Sequence, residues 1–266
     1  MPSIKTPLTE TKADEHTETV PRVPWKPLLG VIFILVVFFG SQVVGGLAIS
    51  IYPALHHWSS AQTSTWLTNS VTAQFLYILL AETFSIGAIV LFLRKYKLSL
   101  SAIGLRKPRW SDLGYGLTAV VPYYVIYLLT VGLVSHFVHS LNINQAQEIG
   151  FTAVHGVVPL ILTFISLVVL PPLAEEIMVR GLLYSSLKKA MPVLGAVIAT
   201  SLIFAAAHLP EGGAAGPLYI AALDTFVLSL VLIYLREKTG GLWASITLHA
   251  LKNGIAFTAI FILHVT

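Results

Sequence analysis

The chain is 266 residues long, with 56% apolar and only 11% charged residues, and 16 Lys and Arg set against 12 Asp and Glu give it a formal charge of +4. A mean hydropathy of +0.81 excludes an ordinary soluble domain. The lack of cysteine excludes disulfides, thiolate metal sites and a cysteine nucleophile.

The first 27 residues are polar and rich in Thr and Pro, which predicts a disordered cytoplasmic tail ahead of one transmembrane domain over 28–266. The first apolar stretch, 28–52, is too long for the core of a signal peptide and reads as an uncleaved anchor. Further spans are expected at 70–93, 113–139, 160–187, 193–212, 216–235 and 241–265. About 20 apolar residues in a helix cross a hydrocarbon layer about 30 Å thick. Long unbroken runs, rather than short alternating ones, point to helices and not to a barrel. The expected fold class is all-α, a polytopic bundle of seven to eight spans. The eighth arises if the last segment divides into two broken helices.

Basic residues alternate along the loops. Arg22 and Lys26 precede the first span, loop 53–69 has no Lys or Arg, and the next loop carries Arg94, Lys95, Lys97, Arg106, Lys107 and Arg109. Loop 140–152 and "PEGGAAG" again have neither, whereas Lys188, Lys189, Arg236 and Lys238 mark the intervening turns. The positive-inside rule then puts the N-terminus in the cytoplasm. A compact helical chain of this kind fits a prokaryotic cell membrane. Topology thus explains the basic pI near 9.2, with no nucleic-acid partner. The five Trp, at 25, 58, 66, 110 and 243, fall at span edges, as interfacial indoles do.

Polar residues inside this oil need reasons: Glu82, Glu175, Glu176, Arg180, His208, Asp224, His249, Lys252 and Asn253. A charge facing lipid at the bilayer centre costs about 2.5 to 3.5 kcal/mol on insertion scales, so "EEIMVR" at 175–180 has to face protein or a cavity. Glu176 and Arg180 are four residues apart and share a helix face, while Glu175 is turned about 100° from Glu176. One reading is a buried ion pair that joins helices. The other is a site, and two later segments bear on it. "FAAAH" ends at His208 after small residues that let a neighbouring helix approach, and "HALKN" sets His249 and Asn253 on one face. Counted at about 1.5 Å per residue from the basic ends, these groups lie about 12 to 24 Å into the membrane and can share a cavity.

In order and spacing, "EEIMVR", "FAAAH" and "HALKN" resemble the E-E-x-x-x-R, F-x-x-x-H and H-x-x-x-N motifs of the CPBP family, the CAAX prenyl proteases and bacteriocin-processing or Abi-type intramembrane proteases. The resemblance covers about 155–265 and implies an intramembrane endopeptidase acting on a membrane-embedded or lipidated peptide. By motif position it implies that Glu175 activates water, that His208 helps hold that water and shuttle protons, and that His249 and Asn253 stabilise the oxyanion. Glu176 and Arg180 would support them.

The chemistry is reasonable in itself, since a carboxylate in a dry site is a strong base and preorganised donors stabilise charge growing on oxygen. No H-E-x-x-H, rhomboid-like G-x-S-G or intramembrane Asp pair occurs. A zinc ion on Glu175, His208 and His249 is an alternative. The metal-free route, with no cofactor, is preferred because an Asn suits an oxyanion hole better than a zinc shell. A non-catalytic immunity or sensor-regulating membrane protein is the alternative function, and a transporter a third. Glu82 and Asp224 are expected to hydrogen-bond between helices, with lining of the substrate cavity as the lesser alternative, and Lys252 to offset cavity carboxylates. His56, His57, His136, His139 and His264 lie near outer loops and receive no role.

Overall fold

The computed structural model describes residues 23–264. Among them, seven helical spans are long and apolar enough to cross a membrane: Pro27–Leu55, Val71–Lys95, Trp110–Phe137, Val157–Ala190, Val193–Ala215, Tyr219–Thr239 and Trp243–Ile262. The protein is an all-helical polytopic bundle, as hydropathy predicts, with seven spans among the described residues. The final segment does not divide into two spans.

Helix α1 (Pro27–Leu55) runs against α3 (Val71–Lys95) in the most extensive packing of the bundle. Between them lies α2 (Ser60–Asn69), in a stretch that reads as plain loop by hydropathy. Its start is a capping box, with the Ser59 hydroxyl accepting from Gln62 N and the Gln62 side chain accepting from Ser59 N. The third span is α4 (Trp110–Thr118) followed by α5 (Val120–Phe137). Gly116 lets α4 lie on the last helix, because a Cβ there would stand 2.6 Å from Thr247 Cβ. Outward faces of α1 and α5 stay apolar and bare, as Val36, Phe39, Leu47, Leu128 and Leu129 are, which suits lipid.

The fourth span is continuous but irregular: α6 (Val157–Phe164), a π-helical stretch at Ile165–Val169, α7 (Leu170–Glu175), a second π-helical stretch at Glu176–Leu183, and α8 (Tyr184–Ala190). Pro171 and Pro172 explain the first irregularity, since they bring no N–H to the helical ladder. Helices α9 (Val193–Ala207), α10 (Tyr219–Thr239) and α11 (Trp243–Phe257) complete the bundle, and a third π-helical stretch at Thr258–Ile262 extends α11.

Packing adds to the sequence reading at three places. The disordered tail lies, for residues 1–22, outside the described residues, but Val23 and Trp25 are buried in the main core. Trp25 is no interfacial anchor. Its indole N–H donates to Ser186 Oγ at 2.8 Å, and its ring meets Phe92 edge-on. The basic residues do more than set topology. Arg106 holds Asp112 through two hydrogen bonds of 2.8 and 2.7 Å and donates to Thr239 O, tying the loop before α4 to the α10–α11 turn.

Candidate active site

The two adjacent glutamates leave the fourth span in different directions, as their 100° offset predicts. Glu176 and Arg180 are both fully buried and paired at 2.9 Å. The pair is not confined to a face of its own, however. Glu176 Oε1 also receives Nδ1 of His249, on α11, at 3.0 Å. A carboxylate oxygen only accepts, so the hydrogen is on Nδ1. Glu175 projects into a cavity of about 240 Å³ whose lining includes His208, His249 and Asn253. Its Oε2 lies 3.8 Å from His249 Nε2. All four residues expected to carry chemistry therefore face one space, from three helical segments.

His208 sits just past the end of α9, with Nδ1 2.8 Å from Phe204 O. The carbonyl can only accept, so Nδ1 carries hydrogen, and when the ring is neutral Nε2 keeps a lone pair. Phe204 does more than space this motif. Its buried ring is met edge-on by His208, with centroids 4.7 Å apart, and by His249 at 6.2 Å, while the Arg180 guanidinium lies 4.3 Å over it. One aromatic plate thus orients both imidazoles and the buried cation.

Asn253 is positioned by the broken helix opposite. Pro171 has no N–H for Leu167 O four residues earlier, and Asn253 Nδ2 donates to that carbonyl at 3.0 Å. An amide nitrogen has two hydrogens, so one is left for the cavity.

Sequence reasoning passed over part of this lining. Glu211, three residues beyond His208, reaches its Nε2 at 3.8 Å. Gln147, from the 138–156 crossing, donates to Glu211 at 2.7 Å. Asp224 and Lys252 also line the cavity, so Asp224 both bonds between helices and takes the cavity position that was its lesser alternative. The signal for Glu211 was its spacing of three from His208. Glu82 is half-buried and is not among the residues lining the cavity.

The residues offered for the zinc alternative share this cavity without closing into a ligand set. Among the described residues, no group of three His, Asp or Glu stands close enough to hold a metal ion. Glu175 faces His249, while His208 faces Glu211.

Residues 157–255 match the family described as type II CAAX prenyl endopeptidase Rce1-like. No curated protein and no solved structure matches the chain. The matched segment contains Glu175, Glu176, Arg180, His208, His249 and Asn253, together with the helices that bring them together. Over residues 157–255 the chain is similar to the Rce1-like CAAX prenyl endopeptidases, and with its seven apolar helices the protein is an integral membrane protease that acts on peptides.

Proposed function

We propose that the protein hydrolyses a membrane-associated or lipid-modified peptide inside the cavity, with Glu175 as the base, and without a metal. The observation that carries this reading is the convergence of Glu175, His208, His249 and Asn253 on one partly enclosed cavity. Glu175 takes a proton as water oxygen bonds to the scissile carbonyl carbon, and Nε2 of His208 accepts the water's other hydrogen bond. The carbonyl oxygen becomes an oxyanion, to which Asn253 donates from its second amide hydrogen. His249 donates to it from Nε2 when both ring nitrogens carry hydrogen, Nδ1 being held by Glu176. The C–N bond then breaks as the oxyanion re-forms the carbonyl, the nitrogen leaves with the proton returned by way of Glu175 or His208, and the acid's remaining proton passes to the amine, giving a carboxylate and an ammonium.

The setting is a prokaryotic cell membrane with the N-terminus in the cytoplasm, supported by the alternation of basic loops. Glu175→Gln tests the reading, since it removes the base with little change of shape. Membranes bearing the variant should yield no shortened peptides by mass spectrometry, while wild-type membranes do so. Chelation of divalent metals should leave the rate unchanged, and cleavage by the Gln variant would sink the mechanism.

A further inference from the structure

Beside the groups used so far, the cavity holds an ion pair to which that mechanism gives no work. Lys252 Nζ, on α11, lies 2.9 Å from Asp224 Oδ2, on α10, and the other Asp224 oxygen accepts from the hydroxyl of Tyr123, on α5. Tyr123 is fully buried, whereas Lys252 and Asp224 keep 22% and 15% of their side-chain surface and line the cavity. Both oxygens of Asp224 are thus engaged, and the lysine stem is held at its tip.

Helical spacing says where that tip is. Around α11, Lys252 lies about 60° to one side of His249 and Asn253 about 40° to the other, within one turn. His249 thus stands between Lys252 and Asn253 around the helix, and all three line the cavity. An ammonium has three hydrogens, and among the described residues Asp224 is the one partner of Lys252 within ion-pair distance. A pair that merely joined α10 to α11 would have no need to open on the cavity beside Asn253.

We propose that Lys252 is a third donor to the reacting carbonyl oxygen, its ammonium bonding that oxygen as it becomes an oxyanion. Asp224 and Tyr123 are positioning residues that act through it. No covalent bond forms on Lys252; it supplies a full positive charge where Asn253 supplies a dipole, in a site where charge is weakly screened. The inference rests on the reading that Glu175 activates water in this cavity.

The test uses the full chain in liposomes and an internally quenched peptide with a farnesylated cysteine three residues before a free C-terminus. Lys252→Met should lower kcat by about 100-fold with KM within about threefold, and Lys252→Arg should restore at least about a tenth of the rate. Should Lys252→Met fail to fold with Asp224 left unpaired, Asp224→Asn combined with Lys252→Met removes both charges and should lose kcat equally. Tyr123→Phe should lower kcat by less than either. Wild-type kcat in the folded Met variant or in the double variant, alongside an inactive Glu175→Gln, overturns the inference and spares the mechanism. Cleavage by Glu175→Gln overturns the mechanism, and a wild-type protein that shortens neither this peptide nor any peptide of its own membranes overturns both.

Discussion

One oxygen of Glu176 serves two partners: Nδ1 of His249 reaches Oε1 at 3.0 Å, and Nη1 of Arg180 reaches the same atom at 2.9 Å. The buried ion pair and the cavity histidine are therefore one unit. Glu176→Gln leaves the Arg180 charge buried without a counter-charge, so stability should fall by about 3 to 5 kcal/mol. The ring of His249 should also lose its orientation. Thermal unfolding in detergent, measured beside Glu175→Gln, checks this: the Glu176 variant should melt well below wild type, and the Glu175 variant close to it.

Asn253 has a structural and a chemical duty that can be separated. Asn253→Ala leaves the Leu167 carbonyl without its donor, at a cost of about 1 to 3 kcal/mol, and should lower kcat by about 100-fold or more. Adding Pro171→Ala returns an N–H to the helical ladder. The double variant should regain melting temperature without regaining activity, and equal recovery of both would contradict the division.

Phe204→Leu keeps an apolar side chain and removes the aromatic face shared by Arg180, His208 and His249. We expect a loss of about 1 to 2 kcal/mol from the cation–π contact and ring packing, with activity falling more than the change in stability explains. Specific activity of the folded fraction is the measurement that decides.

Trp25→Phe tests the start of the described chain. It breaks the bond to Ser186, buried beneath Gly30, and should cost about 1 kcal/mol, read as a lower unfolding temperature with kcat unchanged. An interfacial Trp25 would tolerate the change without loss.

The spans were legible because hydrophobic length is a one-dimensional property: all seven expected spans match helices to within a few residues at most ends. The cavity groups Glu175, His208, His249 and Asn253 were legible because charge in oil demands a partner. Less was readable where the determinant is contact across sequence. Trp25 looks like any edge indole until Ser186, 161 residues away, receives it. Lys252 looks like a compensating charge until Asp224 and Tyr123, on two other helices, fix its tip. Helix α2 was missed for another reason, since its signal is a cap at Ser59 rather than hydropathy.

The 142–151 crossing over the cavity is fastened by polar bonds: Gln145 to Gly216, Gln147 and Glu148 to Glu211, and Phe151 to Gln74. Within it, Phe151 alone is buried. Exposed hydrogen bonds and few apolar contacts put such a segment at the cheap end of local opening, far below the cost of parting any two helices. Turnover can therefore be paced by how often this roof lifts, and amide hydrogen exchange at Glu148 and Phe151 would clock it.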